Sequence, residues 1–182
     1  MTYIQELTNT RQKQSNSMVA GIASQILQIR KESIKQSLSD LNTIGHRQEY
    51  VATIDGVMYY DDSRAENVNA TWFTFENIVR PVIWIAGGDD CTTDFKELKH
   101  MANKKVKALI CIDAAKGHLE KSFQREIKDI YEANNLEDAI RMASLLAKSD
   151  DIVLFSPACK SASSKYNERG ELFTKTVKQL EK

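Results

Sequence analysis

The sequence is poor in everything that breaks or staples a chain: two prolines, seven glycines and three cysteines in 182 residues. Charge of one sign is missing too. Lys plus Arg and Asp plus Glu number 25 each, so the overall charge argues for neither a nucleic-acid nor an anionic-membrane partner. No apolar run approaches the roughly 18 residues of a membrane span, and the opening MTYIQELTNTRQKQ lacks the apolar core of a secretory signal. The cytoplasm is therefore expected. Cys91, Cys111 and Cys159 are far apart and show no C-x-x-C spacing, which excludes a zinc ribbon and an even-numbered disulfide set. They are expected to be free thiols in a reducing compartment, with Cys159 buried and inert. The three histidines, His46, His100 and His118, have no metal-ligand spacing, so no metal site is expected. Neither G-x-G-x-x-G nor G-x-x-x-x-G-K-[ST] occurs, and there is no H-E-x-x-H element or Ser-His-Asp order.

What is present is ample apolar material, 42% of the residues, and a pattern that divides at about residue 45. Before it, Met18, Ile22, Ile26 and Ile29 fall on one helical face, Ser15 or Asn16 is a suitable N-cap, and a second short helix starts at Lys31. After it, YVATI, Asp55-Gly56 and VMYY spell a hairpin, because Asp-Gly supplies the positive φ angles of a type I′ turn. PVIWIAG, VKALICI, EIKDIYEA and DIVLF are further strand candidates, most of them continuous apolar runs of the kind found in a parallel sheet covered on both faces. Helical patterns lie between them, at residues 68–79, 94–103, 119–123, 136–148 and 165–181. The expected fold is α/β: a Rossmann-like, open, mostly parallel sheet with an N-terminal β-hairpin, preceded by two helices.

Ligands in such sheets sit beyond the carboxyl ends of the strands, where four stretches gather: His46-Arg47, residues 61–67 (DDSRAEN), residues 87–91 (GGDDC) and SPACKSASSKYNERG from Ser156. Taken singly, each has a plain structural reading. Gly87-Gly88 lets a strand turn sharply, Asp62 or Ser63 can cap the next helix, and Ser161 belongs to a small polar loop. An Arg beside a strand end such as Arg47 is also suited to a phosphate or carboxylate through its bidentate fork.

Taken together, HRQEYV, DGVMYYDDSRAEN, PVIWIAGGDDCTTDF and SPACKSASSKYNERGELF resemble the carboxy-terminal domain of the Mur ligases, most closely the D-glutamate-adding branch of that family. NSMVAGIASQILQI resembles the helix that ends the family's central ATPase domain, so residues 1–44 read as the tail of that domain and 45–182 as the carboxy-terminal domain. The resemblance implies an ADP-forming amide ligase of peptidoglycan synthesis that uses ATP and Mg2+ and joins D-glutamate to UDP-N-acetylmuramoyl-L-alanine. The phosphate loop, magnesium ligands and UDP-sugar site belong to domains that these residues do not include, so the chain is not expected to be active alone.

Carried onto this sequence, the resemblance assigns nucleotide contacts to Arg47 and Asp62, with Arg64 standing for the family's Lys and His46 beside them. Substrate contacts fall to Glu66, Cys91, Ser161, Ala162 and Tyr166. Two of these depart in character: Glu66 stands where the family has Thr, and Cys91 where it has the Lys that pairs with glutamate. The loop between Ser161 and Tyr166 is two residues shorter than the family pattern, and Arg64 and Lys160 are the cations left to compensate. The alternative reading is a non-catalytic, Mur-ligase-derived binding module.

Overall fold

The computed structural model describes residues 45–161 and 165–181. The described residues belong to one compact unit, Ile44–Lys182. The helices expected before residue 45, and Ala162, lie outside the described residues.

The hairpin is β1 (Glu49–Ile54) and β2 (Val57–Asp61), joined through Asp55 at φ 50° and Gly56 at φ 80°. Both angles are positive, as the Asp-Gly pair predicts. Then follow α1 (Val68–Asn77), β3 (Val82–Gly87), α2 (Lys96–Lys105), β4 (Val106–Ile112), α3 (Lys116–Phe123), β5 (Asp129–Glu132), α4 (Leu136–Leu146), β6 (Ile152–Phe155) and α5 (Lys165–Leu180). A 3-10 turn at Asp113–Ala115 leads into α3. The six-stranded sheet runs β1-β2-β6-β3-β4-β5. Only the β1–β2 pair is antiparallel; β2–β6, β6–β3, β3–β4 and β4–β5 are parallel.

All six residues of β3 are buried, because alternate side chains enter two different cores. Val82, Trp84 and Ala86 join Phe75, Phe95 and Phe123 in the layer that includes α1, α2 and α3. Ile83 and Ile85 join Ile110, Ile140, Phe155 and Phe173 in the layer that includes α4 and α5. This double cover is why the central strands read as unbroken apolar runs. Trp84 meets Phe75 and Phe123 edge-on at 5.0 and 5.3 Å, and its indole N–H donates to Ser156 O at 2.7 Å.

The helix ends are held by side chains. Asn67 caps α1 by accepting from Ala70 N (2.9 Å), and Asn135 caps α4 by accepting from Asp138 N (2.7 Å). At the far end of α1, the Lys105 ammonium donates to Phe75 O, which also accepts from Ile78 N, and to Ile78 O (2.6 Å), adding a cation at the helix's carbonyl end. Burial holds the Lys105 pKa below its ordinary value. Charged hydrogen bonds contribute about 1.5–3 kcal/mol, so Lys105→Met should lower the unfolding free energy by about 2 kcal/mol in urea titration. No change in the midpoint would show that the cap is idle.

Candidate functional site

The carboxyl ends of β2, β3, β4 and β6 meet along one edge of the sheet, and the strained backbone collects there. His46 (φ 64°), Gln48 (φ 47°), Asp113 (φ 57°) and Ala158 (φ 58°) are four of the six non-glycine residues with positive φ among those described. Such conformations cost about 1–3 kcal/mol each and persist where surrounding contacts hold them.

The first group forms around the end of β2. Asp61 and Asp62 are both fully buried. Asp61 Oδ2 shares a 2.6 Å hydrogen bond with His46 Nδ1, and Asp61 Oδ1 accepts from Ser63 N at 2.9 Å. Glu49 Oε2 accepts from His46 N at 2.8 Å. Asp62 Oδ2 accepts from the hydroxyls of Thr74 (2.6 Å) and Ser156 (3.0 Å), and Oδ1 from Gln48 N (3.2 Å), with Arg47 Nε 3.8 Å away. Burial pushes the Asp62 carboxyl up from 3.8 to about 6, against the opposing pull of Arg47 and the donated hydrogen bonds. Burial likewise raises Asp61 despite His46 and Ser63. Adjacent residues of a strand end thus serve two opposite neighbours, His46 and Arg47.

Sequence reading singled out His46, Arg47 and Asp62, and the fold does bring them together. It placed Asp61 and Ser156 in the strand-end stretches without giving them a role and passed over Thr74, an ordinary helix residue until the fold turns its hydroxyl, with that of Ser156, onto Asp62. Arg64 donates to the Tyr166 hydroxyl (2.8 Å) and lies 4.4 Å over its ring, joining the β2 loop to α5.

A second group surrounds Arg169. Its guanidinium donates to Ser161 Oγ and to Gly87 O (2.8 Å), lies 3.3 Å from Asp113 Oδ2 and stacks 5.0 Å over Phe155. Burial lowers its pKa, opposed by Asp113, Glu66 and Asp89. Glu66 Oε1 accepts from Ser161 N at 3.2 Å. Beside Arg169 a cavity of about 240 Å3 is lined in part by Asp89, Asp113, Asn135, Glu137 and Ser161. Lys160 is exposed, and its backbone pairs with Asp90.

The cysteines are a correction. Cys91 and Cys159 are joined in a disulfide with their Cα atoms 4.9 Å apart, and Cys111 alone remains a thiol. Sixty-eight residues separate the pair, so no local spacing announces it; the parallel pairing of β3 with β6 carries both cysteines to neighbouring loops. Cys91 therefore offers no free thiol to a ligand. Burial pushes the remaining thiol, Cys111, up to about 12, which leaves it unreactive.

His46, Glu49 and Asp61 place ligating atoms within 4.8 Å of one another. Gly170 of α5 closes that cluster, since a Cβ there would overlap both His46 Nδ1 and Asp61 Oδ2. The arrangement is a clasp between β1, β2 and α5.

Comparison with known proteins follows the same residues. Over 172 residues the chain is 36% identical to the UDP-N-acetylmuramoylalanine--D-glutamate ligase of Salinibacter ruber, covering 93% of this chain and 37% of that protein. It is 36% identical over 167 residues to the protein of the same name from Christiangramia forsetii, covering 91% and 38%. The chain thus spans less than two-fifths of the length of these curated relatives. A MurF ligase from Thermotoga maritima, solved in complex with ADP, matches 76% of this chain and 32% of its own at 18% identity and a TM-score of 0.48. The family model described as Mur ligase, glutamate ligase domain, matches residues 46–159, from the clasp histidine to the second bridged cysteine, and on that match this chain belongs to the Mur ligase family.

Proposed function

We propose that this chain is the amino-acid-binding and nucleotide-contacting portion of a MurD-type, ADP-forming ligase that adds D-glutamate to UDP-N-acetylmuramoyl-L-alanine in cytoplasmic peptidoglycan synthesis. The supporting observation is its 36% identity, over more than nine-tenths of its length, to proteins carrying that name. No helix of the described residues is long and apolar enough to cross a membrane.

In that reaction ATP, screened by Mg2+, supplies the phosphoryl group that activates the muramoyl carboxylate for attack by an amine. The residues of this chain fit part of that task. Arg47, whose Nε lies 3.8 Å from Asp62 Oδ1 and whose side chain keeps 11% exposure, would present its fork to a phosphate. Both carboxylate oxygens of Asp62 and the Nδ1 of His46 are committed to protein partners and would position Arg47 and the hairpin. The clasp does not suit Mg2+, because its His and Asp are bonded to each other beneath Gly170. The metal ligands would come from the rest of the enzyme.

A second reading, a binding module that has lost the reaction, draws support from the amino-acid side. Glu66 puts a carboxylate on Ser161 N, Cys91 is bridged, and Arg169 is spent on Ser161, Gly87 and Asp113, so the donors there already serve the protein itself.

Calorimetric titration with ADP tests the shared part of both readings: binding should weaken at least tenfold in Arg47→Ala, and equal heats would remove Arg47 from the site. Mixing the chain with the ATPase and UDP-binding portion of a D-glutamate ligase separates them. D-glutamate-dependent ADP release supports the ligase, and nucleotide binding without release supports the module. The chain by itself is expected to form no ADP.

A further inference from the structure

We propose that Cys91 and Cys159 form a reversible thiol–disulfide latch that fastens the loop after β3 to the loop after β6. The two cysteines stand beside an antiparallel bridge in which Asp90 and Lys160 exchange both backbone hydrogen bonds, each at 3.1 Å. Gly87 N donates to Pro157 O at 3.0 Å, and Gly88 approaches the same loop so closely that a Cβ would lie 2.6 Å from Lys160 O. The backbone therefore apposes the loops independently of the sulfurs. Their Cα separation of 4.9 Å falls inside the range of roughly 4.4–6.8 Å that a disulfide spans without backbone movement.

Unequal burial sets the order of events. Cys91 keeps 9% exposure, whereas Cys159 has none. The Cys91 thiolate attacks a low-molecular-weight disulfide, forming a mixed disulfide and releasing one small thiol. The Cys159 thiolate then attacks Cys91 Sγ and releases the second. Two protons and two electrons leave the protein, and one small disulfide becomes two thiols.

The consequence falls on Ser161, two residues beyond Cys159. In the latched state its N–H is held by Glu66 and its hydroxyl by Arg169, so the loop after β6 is tied to the loop after β2 and to α5. Reduction removes the covalent tie and leaves the loop that carries these groups held to the loop after β3 by the Asp90–Lys160 and Gly87–Pro157 backbone hydrogen bonds alone. The regulatory reading rests on the proposed function in one respect: a ligase of cytoplasmic precursors works where thiols are kept reduced, and disulfides there are usually redox-sensing rather than structural.

The 182-residue chain, equilibrated in glutathione buffers from fully reduced to fully oxidised and trapped by alkylation, tests the latch by peptide mapping and amide hydrogen exchange. A Cys91–Cys159 linked peptide should appear and disappear with the buffer ratio while Cys111 is never linked. Amides of Asp90, Lys160 and Ser161 should exchange at least tenfold more slowly in the oxidised chain. Cys91→Ser and Cys159→Ser should lose this response, and Cys111→Ala should keep it. No linked peptide at any ratio, a bridge through Cys111, a bridge that survives reduced glutathione, or equal exchange in both states each overturns the proposal. ADP titration reports separately on the ligase reading, so loss of nucleotide binding would strike that reading and leave the latch standing.

Discussion

Gly170→Ala should lower the unfolding free energy by about 1–3 kcal/mol, the range for forcing an extra methyl into a packed site. Gly170 lies on α5 in direct contact with the clasp, and an added Cβ would overlap His46 Nδ1 and Asp61 Oδ2 together. Neither atom can yield independently. Asp61 is fully buried, and displacing His46 strips it of the partner that opposes its desolvation. The comparison is Gly117, within α3, where a Cβ meets nothing within 4 Å. Gly117→Ala removes backbone freedom at no steric cost and should stabilise by about 0.5–1 kcal/mol. Urea unfolding of the two variants should move in opposite directions, and a near-neutral Gly170→Ala would show that the clasp does not depend on close approach.

Between about pH 4 and pH 6 the folded chain should lose about 3 kcal/mol of stability through Asp62, and Asp62→Asn should abolish that loss. The carboxyl is displaced upward from 3.8 to about 6, so the folded state holds its proton more tightly than the unfolded state does. Stability from this group is therefore complete below pH 4 and falls as pH rises through 6, by about 1.4 kcal/mol for each unit of displacement. Asp61 acts in the same direction. Other groups contribute equally to both proteins, so the difference between their stability profiles isolates Asp62. Parallel profiles would show that Arg47, Thr74 and Ser156 fully offset the burial of the charge.

The disparity between these sites and their legibility in sequence is instructive. Arg47 and Asp62 could be picked out because charged residues at strand ends are chemically conspicuous. Asp61 is as fully buried as its neighbour, yet nothing local marks which of two adjacent aspartates meets His46. That choice belongs to the strand: successive side chains leave β2 on opposite sides, one toward His46 and Gly170, the other toward Thr74 and Ser156. Glu66 and Cys91 were recognisable as departures from the family pattern. Their actual engagements, with Ser161 N and with Cys159, depend on loops 95 and 68 residues away.

By itself the amino-acid order determined the hairpin, the succession of strands and helices and the double cover of the sheet, because these follow from periodicity within a few residues. The Asp55-Gly56 turn and the apolar runs of β3, β4 and β6 are local statements about φ angles and burial. Helix starts were less legible: α2 begins at Lys96 rather than Asp94, whose carboxylate accepts from Lys96 N at 3.1 Å ahead of the first turn. Only the tertiary structure decided that Cys91 and Cys159 are one chemical unit, that Arg169 is consumed by its surroundings and that Gly170 must have no side chain. Each is a contact between segments far apart in sequence, created when parallel strands place their carboxyl ends side by side.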